Sequence, residues 1–205
     1  MMITFLRGDF MIIRMSKSIS SFFISHEVIS DEDREVYEYS FEILLSTILS
    51  FLTILIIAII SDSMLNTIFF LVGFIPLRLI AGGYHAITHL RCYILFVLTY
   101  IAFLMITKFI PINLIVPLIF LSFPISITLI FLLAPSDDSN KTIDDKERNK
   151  FRKKSRWAIV GFSVLICTTI LAKELFALSI ALGNVTVAIS LLANFIKNQG
   201  SKRIN

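Results

Sequence analysis

The stretch "LRLIAGGYHAITHLRC", residues 77–92, gathers two of the chain's three histidines, one of its two cysteines and an adjacent glycine pair. Cys92 is the residue here that can attack a carbonyl, because a thiolate is a strong nucleophile once its proton is removed. His85 and His89 are each candidates for the base that removes it. Arg91 adjoins the cysteine and Arg78 stands near the other end. Gly82 and Gly83 offer positive φ at low cost, and backbone amides that could face a developing oxyanion.

Spacing constrains these roles. On one straight helix His85 and Cys92, seven residues apart, would share a face but sit about 10.5 Å apart along the axis. Proton transfer needs about 3 Å between heavy atoms. The chain must therefore turn between them, or the pair must form through another segment. His85, His89 and Cys92 also make a set of three zinc-type donors, which leaves a zinc-dependent hydrolase as an alternative. The stretch has no carboxylate and the chain no H-E-x-x-H, so neither a metal nor a cofactor is expected. Inert packing stays open for Cys92. Cys167, within "VLICTTI", is read as packing, and no disulfide is expected.

The elements around this stretch are those of a membrane protein. Of 205 residues, 56% are hydrophobic and 17% charged, against about 25% charged in soluble domains; the mean hydropathy is +0.84. Six apolar runs approach the roughly 20 residues that a span needs: 41–60, 64–80, 92–110, 114–134, 157–172 and 175–196. The fold class is therefore an all-α polytopic membrane protein with six transmembrane helices. The second and fifth runs are short, so four spans with two re-entrant or interfacial segments is the alternative. Residues 1–40 read as a cytoplasmic or interfacial amphipathic segment, with Phe5, Leu6, Phe10, Ile13, Phe22 and Phe23 against basic residues, or else as a frayed tail. Residues 41–196 form the membrane domain and 197–205 a tail.

Charge sets the expected orientation. Of the 19 Lys and Arg, 17 fall before the first run, in residues 77–92, in 135–156 or in the tail. Only Lys108 and Lys173 fall elsewhere. The positive-inside bias puts both termini, residues 77–92 and a basic loop at 135–156 in the cytoplasm. Lys150, Arg152, Lys153 and Lys154 of that loop are either a membrane anchor or a contact for an acidic substrate. Basic residues that flank spans argue for lipid headgroups as partners and against nucleic acid. Glu35 and Glu42, before and at the first span, are candidates to orient His85. A transporter or peptide exporter is the rival class, although the spans are nearly free of charge.

At these residues the chain resembles the AgrB (accessory gene regulator B) family of membrane cysteine endopeptidases. The shared pattern is Arg78, then Ala81-Gly82-Gly83-Tyr84-His85-Ala86, then Cys92 seven residues after the histidine. The resemblance extends to "DEDREVYEYSFEILLS" and to the basic stretch before the fifth span; Ser40 stands where relatives often have glycine. It implies a multi-pass protein of the Gram-positive plasma membrane that cleaves a short AgrD-like propeptide for quorum sensing. Cys92 would be the nucleophile, His85 its base and Arg78 a supporting residue. Cyclisation to a thiolactone or lactone would follow, and a homodimer is compatible with this reading.

The charge split generates a topology test. In a cysteine-free background, a membrane-impermeant thiol reagent applied to intact cells should label a cysteine placed at Asn113 and miss one at Ser139. Labelling at Ser139 would reverse the orientation.

Overall fold

The structure, a computed structural model, describes residues 2–84, 88–136 and 145–202. Among them the chain forms α-helices and no strand. The helices are α1 (Met2–Ser25), α2 (Arg34–Ile60), α3 (Met64–Ala81), α4 (His89–Phe109), α5 (Ile112–Leu133), α6 (Asp145–Ala172) and α7 (Glu174–Lys202). Helices α2 to α7 are each long and apolar enough to cross a membrane. The protein is thus all-α and polytopic. The two runs that looked short, α3 and α6, are among the six. With 18 residues, α3 is the shortest, yet at about 1.5 Å per residue it comes close to the thickness of a bilayer's hydrocarbon core.

Two boundaries differ from the sequence expectation. The basic stretch expected as a loop over 135–156 is helical from Asp145 onward, continuous with the apolar part of α6. No Gly or Pro interrupts residues 145–160, and Lys, Arg and Glu are good helix formers, so the helix runs past the end of the apolar run. Residues 137–144 lie outside the described residues. Likewise α2 starts at Arg34, so Glu35, Glu38 and Glu42 sit on its first turns.

The chain divides into two compact units, Met1–Ile60 with Ala86–Tyr100, and Ser61–His85 with Ile101–Asn205. In the first, α1 packs along α2. Among the described side chains of α1, Ser16 and Ser20 are fully buried, while Phe22 is 58% exposed. On α2 the buried positions recur every four residues, at Ser46, Ser50, Ile54 and Ala58. Small side chains let helix backbones approach closely, which matters where lipid removes the hydrophobic drive for helix pairing. Ser16 Oγ donates to Ile13 O at 2.9 Å and lies 3.5 Å from Glu42 Oε1. Phe23 stacks on Phe41 with centroids 5.7 Å apart. The start of α4 joins this unit through Tyr93 OH, 3.1 Å from Thr53 Oγ1, and through the edge contact of Phe96 with Phe51.

In the second unit α7 is the central helix and packs against α3, α5 and α6. Of its span 61% is buried, against 22% to 28% for the other five. The closest approach is between α3 and α7. A Cβ at Gly73 would collide with the Ile180 carbonyl, and one at Gly183 would meet the Phe70 carbonyl. Around this contact Phe70 stacks on Phe103 and Phe69 on Phe176, each pair with centroids 4.4 Å apart. The backbone contact fixes the height of α7 against the end of α3, and the candidate site lies at that end.

Candidate functional site

Arg78 is in the last turn of α3, between the fully buried Leu77 and Ala81. Gly82 ends the helix with φ +75° and its N–H donates to Arg78 O at 3.1 Å. Gly83 follows at φ +142°. Both angles lie in the region that L side chains avoid, which explains the glycine pair. Arg78 then reaches over the turn it precedes. Its Nη1 donates to Gly82 O at 2.9 Å and to Ser190 Oγ at 2.7 Å, and its Nη2 donates to Tyr84 O at 2.7 Å. Tyr84 N–H donates to Ser190 Oγ at 2.9 Å and Ser190 O at 3.0 Å. On the other side, Ser136 N–H donates to Ala81 O at 3.0 Å.

Each hydrogen bond to a charged group contributes about 1.5–3 kcal/mol, and a guanidinium offers five donors in a fixed fork. The positive charge also sits favourably at the C-terminal end of α3. Space is tight: a Cβ at Gly83 would run into the Arg78 guanidinium and come within 2.6 Å of Ser190 Oγ. At Gly82 it would come within 2.8 Å of Ser136 Oγ. The Tyr84 ring carries Lys197 Nζ at 5.2 Å from its centroid. These bonds leave the Gly82 amide occupied, and Arg78 acts on backbone carbonyls of the turn. Of the two glycine amides considered for an oxyanion, that of Gly83 is the one without a hydrogen bond to another described residue.

Cys92 is the fourth residue of α4. Thr88 caps that helix: its Oγ1 accepts from Arg91 N–H at 3.3 Å and its carbonyl accepts from Cys92 N–H at 3.2 Å. Threonine suits this position because its hydroxyl satisfies an amide that the first turn leaves unpaired. The thiol is half-buried and free, and Arg91 is exposed. Cys167 is also free, and exposed on α6. His85 lies outside the described residues, as does the ring of His89; both belong to the zinc-type set considered above. Among the described residues no group of three or more His, Cys, Asp or Glu could hold a metal.

The four basic candidates, Lys150, Arg152, Lys153 and Lys154, are exposed along the first half of α6. Lys154 Nζ lies 5.9 Å from the Phe151 centroid, and Arg156 packs over Phe131 at 5.3 Å. Glu35 is exposed, and Glu42 is half-buried beside Ser16. Sequence reading did not single out Ser190 or Ser136. A signal for the first was available: on α7, Gly183, Val187, Ser190, Asn194 and Lys197 recur at three- and four-residue steps and so share a face.

Fold and site together define a multi-pass, all-helical membrane protein with a polar turn locked at the end of one span. Over residues 16–191 the chain matches Accessory gene regulator B, and it belongs to that family. Membership gives it a role in autoinducing-peptide processing, with a propeptide as substrate. The match takes in Arg78, the glycine pair, His85, Cys92 and Ser190. No curated protein and no solved structure matches the chain.

The turn geometry predicts opposite outcomes at two glycines. Gly83→Ala should reduce propeptide processing by about tenfold or more, because backbone strain and side-chain collision together cost more than about 1.4 kcal/mol. Gly161, on α6, has nothing within 4 Å of an added Cβ, and Gly161→Ala should process within about twofold of the parent. Processing rates in membranes, normalised to protein level, decide this; equal rates for the two variants would contradict the locked turn.

Proposed function

We propose that this protein is a membrane cysteine endopeptidase that cleaves its propeptide through a thioester and promotes closure of the retained part into a ring. His85 takes the Cys92 thiol proton, and the thiolate attacks the scissile carbonyl of the propeptide. The C–N bond breaks, the proton passes from His85 to the leaving amine, and the C-terminal fragment departs. The N-terminal part is left as a thioester on Cys92. A thiol within that part attacks the same carbonyl and closes a thiolactone, and its proton returns to the Cys92 sulfur through His85. A serine hydroxyl in its place would give a lactone. One thioester replaces another, so thiolactone closure requires no nucleotide, and the chain has no G-x-x-x-x-G-K-[ST] pattern.

The observation that carries this reading is the turn itself. Arg78 and Ser190 hold both backbone polar groups of Tyr84, the residue directly before His85. A base on a fixed peptide is what general base catalysis requires. The amide of Gly83 is the candidate donor to the oxyanion. A straight helix through His85 and Cys92 would have kept them about 10.5 Å apart. Here α3 ends at Ala81 and α4 begins at His89, so the two residues do not share one straight helix. Helix α1 lies in the lipid interface, and Lys150, Arg152, Lys153 and Lys154 serve acidic parts of the propeptide or anionic headgroups. By the charge bias, both termini and the site face the cytoplasm of a Gram-positive cell.

Substitution tests the assignment. Cys92→Ala and His85→Ala should each abolish propeptide cleavage with membrane protein levels kept, and His89→Ala should have the milder effect. Cleavage by Cys92→Ala would overturn the proposal. Loss of activity in His89→Ala together with inhibition by a chelator would favour the zinc alternative.

A further inference from the structure

Ser190 lies just past the middle of α7, 112 residues from Arg78 in sequence. Its hydroxyl oxygen accepts from Arg78 Nη1 at 2.7 Å and from Tyr84 N–H at 2.9 Å. A hydroxyl has two lone pairs, and both donors are served by this one atom. The backbone carbonyl of the same residue also accepts from Tyr84 N–H, at 3.0 Å. Arg78 meanwhile holds Tyr84 O at 2.7 Å. That carbonyl belongs to the peptide plane shared by Tyr84 and His85, and the plane is rigid. Removing the Ser190 hydroxyl frees one guanidinium donor and weakens the hold on Tyr84 N–H. The orientation of the plane that delivers His85 is then fixed less firmly.

We propose that Ser190 is a positioning residue of the processing reaction: through Arg78 and Tyr84 N–H it fixes the peptide plane on which His85 enters the site. This rests on His85 being the base. Ser190 touches no reacting atom in this account. Its role is to keep Arg78 in the one arrangement that grips Gly82 O and Tyr84 O together. Glycine at 83 is part of the same device, because a Cβ there would lie 2.6 Å from Ser190 Oγ. Helix α7 is held at the required height by its backbone contact with α3 at Gly73 and Gly183. The last span thereby holds the turn at Gly82, Gly83 and Tyr84 from which His85 follows.

The test uses two substitutions of equal shape, so that folding affects both alike. Ser190→Thr keeps the hydroxyl and Ser190→Val removes it. In proteoliposomes with the full chain and its cognate propeptide, Ser190→Thr should keep kcat within about threefold of the parent, whereas Ser190→Val should lose about tenfold or more, the typical effect of deleting an acceptor from a charged donor. KM should stay within about twofold in both, since the residue does not touch substrate. Combined with Arg78→Lys, Ser190→Val should add no further loss, because the two act as one unit. Equal kcat for the Thr and Val variants, with His85→Ala inactive, would overturn this proposal alone. Full activity of His85→Ala would remove the underlying reading instead, whatever Ser190 does.

Discussion

A guanidinium at the end of an apolar helix must be hydrogen-bonded, and the rest of the site follows from how Arg78 meets that requirement. Leaving a charge unpaired in surroundings of low dielectric costs several kcal/mol or more. Carbonyl oxygens are the natural acceptors, and Arg78 obtains two from the turn that follows its own helix, Gly82 O and Tyr84 O. To present both, the backbone must pass through φ +75° and φ +142°, and glycine reaches those angles without strain. The pairing of Arg78 with Gly82-Gly83 is therefore a single physical unit. The histidine proposed as base is attached to the end of it.

A turn held only by its own helix would follow every movement of that helix's end. Here it is also tied to α7 through Ser190 and to the segment after α5 through Ser136 N–H and Ala81 O. Helix α7 can provide such a reference because most of its span is surrounded by protein. At its glycine contact with α3 the two backbones approach so closely that a Cβ at Gly73 or Gly183 would clash with the facing carbonyl. Packing of small residues in one region and hydrogen bonding at the helix ends thus serve one purpose, the placement of three residues of turn. The proposed thioester route needs such rigidity, because a rigid site can exclude the water that would otherwise hydrolyse a thioester before a ring could close.

Much of the architecture is legible in the residues. Runs of about 20 apolar residues punctuated by Ser61-Asp62-Ser63, Gly82-Gly83, Pro111 and Lys173 give the spans, because each of these must expose polar backbone or charge at a membrane edge. Arg78, the glycine pair, His85 and Cys92 stand out because their chemistry is out of place among apolar neighbours. What the residues conceal is of two kinds. Helices α2 and α6 continue well outside the apolar runs, at Arg34 and Asp145, because hydropathy marks where lipid ends and not where a helix does. Ser190 and the buried Ser16 and Ser20 look like ordinary small polar residues. Their roles come from partners distant in sequence or from the closeness of a neighbouring helix; the shared face of Gly183, Val187, Ser190, Asn194 and Lys197 marks Ser190 as facing protein but not which residue it holds.

The claim on which this account rests is that Cys92 carries the propeptide as a thioester before the ring closes. The direct measurement is intact-protein mass spectrometry of the purified full chain after incubation with a propeptide whose ring-forming cysteine is replaced by alanine. The account predicts that this peptide is still cleaved, that the N-terminal fragment appears as an adduct on Cys92, and that neutral hydroxylamine releases it. Cleavage without any adduct on Cys92, under conditions where thioester hydrolysis is slow, would mean direct attack by water and would contradict the account.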